Sequence, residues 1–237
     1  MALNIDTLKT RGLTAIVFVA VMLTGLFWNE YSFITLFTIV HFGCWYEFIK
    51  LLKKIYGANF LKYSLFGIVY ITMPILMLLH LGLQSDIFSN ELSDNNTFHY
   101  SLLLPCLIMF SIWINDTMAY LVGSVIGKTP FSKISPKKTW EGTTGGAILC
   151  VLLIGFLFPL LGNRYFLHPP NNYVYFIIAA ICAVFGTLGD LFESKLKRTA
   201  NVKDSGSIMP GHGGFLDRFD SLLVAVPFVW LYVQLFM

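Results

Sequence analysis

Charge is scarce in this chain. Only 12% of its 237 residues are Asp, Glu, Lys or Arg, while 56% are hydrophobic. A water-soluble domain carries about 25% charge and about 45–50% apolar residues, so composition argues against a soluble globular protein. Cysteine is also sparse. Cys44, Cys106, Cys150 and Cys182 stand alone in separate apolar runs, with no C-x-x-C and no Cys–His pairing. That excludes a disulfide framework and a zinc site read from spacing, and the four read as small apolar fillers. The net charge of +3 comes without a long basic tract or interleaved aromatics, so no nucleic-acid partner is expected. There is no internal repeat, no low-complexity tract and no Ser–His–Asp or Cys–His spacing for a nucleophilic triad. GSVIGKTP resembles a phosphate-binding loop, but only three residues separate Gly123 from Gly127, where that motif requires four after a strand.

What the chain has is long apolar runs. A spanning helix needs about 20 mostly apolar residues. Seven stretches qualify as candidates: Leu13–Trp28, Tyr31–Ile49, Tyr63–Leu83, Tyr100–Ile126, Thr143–Gly162, Tyr173–Phe192 and Ser221–Met237. Aromatic residues cluster near their ends, including Trp28, Tyr31, Trp45, Tyr46, Tyr63, Tyr100 and Tyr173, where amphipathic rings prefer to sit. Lys9 and Arg11 before the first run resemble the start of a signal peptide, but no small-x-small cleavage site follows in TGLFWNEYS, so a retained helix is expected. Basic residues accumulate on the cytoplasmic side. With the N-terminus inside and seven spans, all but Arg164 of the sixteen Lys and Arg residues fall in inside segments. The expected fold is an all-α, polytopic transmembrane helix bundle of about seven spanning helices with a cytoplasmic N-terminus. It forms a single integral-membrane domain over residues 1–237, in which residues 1–99 are the less diagnostic helices and 100–237 the catalytic helices and loops.

Several residues do not belong in hydrocarbon. Burying Asp, Lys or Arg at a helix centre costs about 2.5–3.5 kcal/mol on insertion scales. Glu47 sits at the inner end of its run and is expected to reach the membrane interface. His41 and His80 are expected to hydrogen-bond within the bundle. Asp116 lies deeper. On a helix, Asp116, Ala119, Tyr120 and Gly123 share one face at spacings of three and four, and the small residues permit close approach of another helix. That stripe is expected to face protein or trapped water. Asp190 near the end of the sixth run, and Asp217 and Asp220 at the start of the seventh, lie at one cytoplasmic depth in this topology. A hard divalent cation, which takes carboxylate oxygens and keeps several waters, would satisfy such a set. Ion pairs with Arg218, Lys195 or Arg198 are the alternative. Two inside loops flank the cluster. GKTPFSKISPKKTWEG supplies Lys128, Lys133, Lys137 and Lys138, and the second loop contains GHGG beside Asp217 and Arg218. Glycines let a backbone approach a ligand closely, and successive amides form anion nests.

The stretch SKLKRTANVKDSGSIMPGHGGFLDRFDS resembles the signature of the CTP:phosphatidate cytidylyltransferase, or CDP-diacylglycerol synthase, family. Ser194, Lys197, Arg198, Lys203, Asp204, Pro210, His212, Gly213, Gly214, Asp217, Arg218 and Asp220 fall in register, with Met209 a conservative departure. NDTMAYLVGSVIGKTPFSKISPKKTWEG is similar to the family's second block, so the likeness runs from about Asn115 to the end. The resemblance implies transfer of CMP from CTP to phosphatidic acid, dependence on Mg2+ with a second ion allowed, a homodimer, and residence in the bacterial inner membrane with the active site facing the cytoplasm. It implies Asp190 and Asp217 as metal ligands. With them, Lys197, Arg198, Lys203, Asp204, His212, Arg218 and Asp220 form the catalytic set, while Asp116, Ser135, Lys137, Lys138, Glu141, Ser194, Gly213 and Gly214 bind substrate. A CTP-dependent polyprenol or phytol kinase shares the habitat and the donor, and a membrane transporter is the non-enzyme alternative. The D-G-x-x-A-R pattern of CDP-alcohol phosphatidyltransferases is absent.

Overall fold

A computed structural model describes residues 5–84, 100–132, 134–162, 171–208 and 213–237, the side chains of 5–11 and 161–162 excepted. The described residues form eight α-helices: α1 (Ile5–Phe27), α2 (Glu30–Tyr56), α3 (Phe60–Ser64), α4 (Met73–Leu83), α5 (Leu103–Ile126), α6 (Trp140–Gly162), α7 (Tyr173–Thr199) and α8 (Leu216–Phe236). A 3-10 turn (Gly57–Asn59) precedes α3, and a π turn (Ile68–Thr72) leads into α4. Five helical segments are long and apolar enough to cross a membrane, and two shorter apolar ones, Gly12–Phe27 and Ile68–Leu83, accompany them. All seven expected runs are therefore helical. Large apolar side chains such as Ile16, Phe42, Val125, Phe156 and Leu160 face outward, a surface far larger than the apolar patches soluble proteins tolerate. Hydrocarbon is the solvent this bundle suits.

Local chemistry sets the ends. Asn29 caps α2 by accepting from Ser32 N at 2.8 Å while its own N–H donates to Ser32 Oγ at 3.1 Å, a reciprocal box that satisfies otherwise orphaned donors. The helices outrun the apolar stretches. α2 continues to Tyr56 rather than stopping at Ile49, α7 to Thr199 rather than Phe192, and α8 begins at Leu216 rather than Ser221. The added turns are rich in Lys, Arg and Glu, which are good helix formers, and Lys53, Lys54, Lys197 and Arg198 sit in last turns, where cations complement the helix dipole. Hydropathy marks where the oil ends, and the backbone continues past it.

Packing positions the functional end. α5 packs on α6, and α7 on both α6 and α8, while α4 rests on α8 and α1 on α2. Small residues make the α5–α6 seam. A Cβ on Gly146 would lie 2.5 Å from Ala119 Cα, and one on Gly142 would lie 2.8 Å from Gly123 Cα. The histidines are tied into the bundle as expected. His41 Nε2 lies 3.0 Å from Thr72 Oγ1, and His80 Nδ1 accepts from Trp230 Nε1 at 3.2 Å. The four cysteines are buried and unbridged.

Gly146→Val should therefore force α5 and α6 apart, with a loss of about 1–3 kcal/mol from overpacking, read as a lower thermal midpoint of the detergent-solubilised protein. Gly12, where an added Cβ would meet nothing within 4 Å, is the control: Gly12→Ala should leave the midpoint unchanged or raise it.

Candidate functional site

A cavity of about 490 Å3 opens at the end of the bundle where α5, α6, α7 and α8 meet. Four aspartates line it, Asp116, Asp190, Asp217 and Asp220, together with four basic side chains, Lys137, Lys138, Lys197 and Arg218. The stripe on α5 behaves as its spacing predicts. All four residues line the cavity, and Ala119 and Gly123 also lie against the glycines of α6. The loop between α5 and α6 folds back on itself, pairing Phe131 N with Lys138 O at 2.7 Å and Trp140 N with Thr129 O at 2.9 Å. This fold carries Lys137 and Lys138 over the mouth, and Lys138 forms an ion pair with Asp190. Asp190 also accepts from Ser194 Oγ at 3.2 Å, one helical turn along α7.

Asp217, in the first turn of α8, is the most heavily engaged of the cavity's four aspartates. Its Oδ1 accepts from Lys197 Nζ at 2.6 Å, and its Oδ2 accepts from Ser205 N at 2.9 Å and Gly214 N at 2.8 Å and lies 2.9 Å from Ser205 Oγ. Gly213 adopts φ +84 beside it, a left-handed conformation that glycine takes without the penalty a side chain incurs. Lys197 is shared with Glu193, whose Oε2 is 2.5 Å from Nζ. Glu193 is fully buried, and its oxygens take no hydrogen bond of regular geometry from the described residues. The Lys197 ammonium is thus the charge that offsets two carboxylates.

Other residues singled out from the sequence stand elsewhere. Arg198 is exposed, and its Nη1 donates to Val202 O at 3.4 Å. Lys203 is exposed on the loop after α7, and Asp204 lines a smaller cavity on the α2 side with Lys50 and Lys54. Ser135 turns its carbonyl to Lys138 N at 3.1 Å. Glu141 clamps the base of the α5–α6 loop, accepting from Thr129 Oγ1 at 2.8 Å and from the Lys128 and Thr129 amides. None of these five lines the 490 Å3 cavity. His212, with Pro210, lies outside the described residues. Glu47 corrects the sequence expectation: it is fully buried rather than at the interface, and it binds the N-terminus of α8 through Phe215 N at 3.0 Å and Leu216 N at 2.9 Å. Glu193 and Ser205 were not picked out from the sequence. The spacing of Glu193 and Lys197, one turn apart on a helix, was the available signal for the first.

The cavity's donor set fits a hard divalent ion. No trio of His, Cys, Asp or Glu among the described residues converges on one metal position, while four aspartates line one cavity with room for water. Mg2+ suits such an arrangement, because it uses one or two carboxylates and fills its shell with waters and substrate phosphates.

Removing the shared ammonium should be severe. Lys197→Met leaves Glu193 buried without a counter-charge, a loss of about 3–5 kcal/mol, seen as a lower thermal midpoint and less folded protein. Adding Glu193→Gln should recover most of the folded yield.

Residues 64–236 match the model of the cytidylyltransferase family. The chain is 34% identical over 233 residues to the phosphatidate cytidylyltransferase of Rickettsia typhi, covering 96% of this chain and 92% of that protein. It is 35% identical to that of Thermotoga maritima, with 94% of each chain covered. A shorter match, 43% identical over 143 residues, spans 60% of this chain and 51% of the Bacillus subtilis phosphatidate cytidylyltransferase. A chain that matches this family's model over most of its length, and two phosphatidate cytidylyltransferases nearly end to end, belongs to the cytidylyltransferase family.

Proposed function

We propose that this protein is a phosphatidate cytidylyltransferase, transferring CMP from CTP to phosphatidic acid and releasing pyrophosphate. The observation that carries the reading is the cavity itself: four aspartates and four basic side chains gathered at one end of an apolar bundle, in a chain whose near full-length relatives bear that name. An oxygen of the lipid phosphate attacks the α-phosphorus of CTP, and the bond to the β-phosphate oxygen breaks as pyrophosphate leaves. The attacking group is already anionic, so the reaction requires neither a strong general base nor a covalent nucleophile. The obstacle is repulsion between a lipid phosphate of about −1.5 to −2, by analogy with phosphoserine, and a polyanionic triphosphate. Catalysis then rests on positioning and charge neutralisation.

Seven of the cavity's charged residues have a part in that scheme. Asp190 and Asp217 would hold Mg2+, and Asp116 and Asp220 extend the acidic lining toward a second ion. Bound there, Mg2+ would neutralise phosphate oxygens and align them. Lys137, Lys138 and Arg218 bind phosphate oxygens, Arg218 with the planar fork suited to two oxygens at once. Lys138 leaves Asp190 for the nucleotide as the site fills. Gly213 and Gly214 lie against Asp217. The acyl chains remain among the outward apolar side chains while the head group enters the cavity. The basic inside segments favour a cytoplasmic position for that end, in the bacterial inner membrane, and the protein works as a homodimer.

The test uses the purified full chain in mixed micelles with CTP, phosphatidic acid and Mg2+. CDP-diacylglycerol and pyrophosphate should form together; release of CDP and a phosphorylated lipid alcohol, when polyprenol or phytol replaces phosphatidic acid, would instead indicate a kinase. Asp217→Asn should lower turnover by more than about 100-fold while the protein still inserts and folds. Full activity in that variant would remove Asp217 from the metal site. Chelation with EDTA should abolish product formation, and added Mg2+ should restore it.

A further inference from the structure

Glu47 comes from α2, a helix that lends no side chain to the cavity. Its buried carboxylate nonetheless reaches the loop between α7 and α8, which leads into the cavity residue Asp217. Ser205 Oγ lies 2.7 Å from Glu47 Oε2, alongside the two bonds from the start of α8. Gly206 and Gly214 press against the same carboxylate so closely that a Cβ on either would collide with it. The amides at the beginning of a helix favour an anion, so the position suits Glu47 as a carboxylate.

Ser205 stands between two carboxylates. Its hydroxyl is 2.7 Å from Glu47 Oε2 and 2.9 Å from Asp217 Oδ2, and it has one proton to give. Asp217 Oδ2 already receives two amides, from Ser205 and Gly214. Glu47 Oε2 receives one, from Leu216. The shorter contact and the less saturated oxygen both assign the proton to Glu47. The serine amide and hydroxyl are thereby locked as a pair, the amide on Asp217 and the hydroxyl on Glu47. Asp217 is held through Oδ2, and its Oδ1 stays turned to the Lys197 side of the cavity.

We propose that Glu47 is a positioning residue for the transfer reaction, acting through Ser205 to fix the orientation of Asp217. The inference rests on the reading of Asp217 as a working carboxylate of the cytidylyl transfer. It makes α2 part of the catalytic apparatus without contact with either substrate.

The experiment is a double-mutant cycle on the purified full chain, with kcat, the KM for CTP and the thermal midpoint measured for wild type, Glu47→Gln, Ser205→Ala and the pair. Ser205→Ala keeps the bonds from Glu47 to α8 and the amide bond to Asp217, and removes only the hydroxyl that ties the Asp217 side of the loop to Glu47, so it decides the matter if Glu47→Gln does not fold. Each single change should lower kcat per folded molecule by about 10- to 100-fold, the loss expected for a hydrogen bond to a charged group, with the KM for CTP within about 3-fold of wild type. The pair should be no slower than the slower single variant, because residues acting as one unit lose their effect once. Unchanged kcat in Ser205→Ala, or losses that multiply in the pair, would overturn the linkage. A lower midpoint with normal kcat per folded molecule would assign Glu47 a purely structural role and overturn it equally. A wild-type protein that makes no CDP-diacylglycerol would overturn the proposed reaction instead.

Discussion

The site depends on one buried ammonium. Lys197 lies 2.5 Å from a Glu193 oxygen and 2.6 Å from an Asp217 oxygen, at the end of an apolar bundle where a lone charge is costly. Neither carboxylate is tolerable there alone, and the lysine would be equally out of place without them. The three are therefore held as a set, and because Glu193 and Lys197 belong to α7 and Asp217 to α8, the set also joins two helices. From Asp217 the chain of contacts continues through Ser205 to Glu47 on α2. Polar groups from three helices and one loop thus form a connected network, and such networks rigidify a site when their members are satisfied.

That network explains where glycine is required. The loop backbone must approach carboxylates on two sides at once. Gly206 and Gly214 are in contact with Glu47, and Gly213 turns against Asp217 with a positive φ. A side chain at any of the three would collide with an oxygen that the network has fixed. On the opposite wall, glycines serve a different purpose. Gly142 and Gly146 let α6 close on Ala119 and Gly123, so the α5 face carrying Asp116 is held against the cavity rather than turned to lipid.

Much of the fold was legible because the hydrophobic runs are long and few charges interrupt them. The seven runs are helical, and the Asp116–Ala119–Tyr120–Gly123 spacing located a face that the structure places on the cavity and the α6 seam. Helix ends were less legible. Lys50, Lys53, Lys54, Lys195, Lys197 and Arg198 look like loop residues by hydropathy, yet they favour helix and cap its dipole. Glu47 was misplaced for a different reason. Its partners lie 158 to 169 residues away in the chain, and no local pattern reports a contact of that range. Of the basic residues in the signature stretch, Lys197 and Arg218 line the cavity while Arg198 and Lys203 are exposed outside it. Sequence position alone does not distinguish them, since neighbours on a helix point in different directions.

The same constraint accounts for the unusual charge distribution of the chain. A bundle bathed in hydrocarbon cannot scatter ionisable groups, because each unpaired one would be penalised separately. Gathering aspartates and basic residues at one end lets each neutralise another while the cavity waits. It also leaves a set of pairs that can exchange partners when phosphates enter. Lys138 on Asp190 is the exposed member of that set, with both side chains about 30% accessible, whereas Lys197, Glu193 and Asp217 are largely enclosed. The accessible pair is therefore the one free, in the proposed reaction, to trade a carboxylate for a nucleotide phosphate, while Lys197 holds the enclosed Asp217 in place beside it.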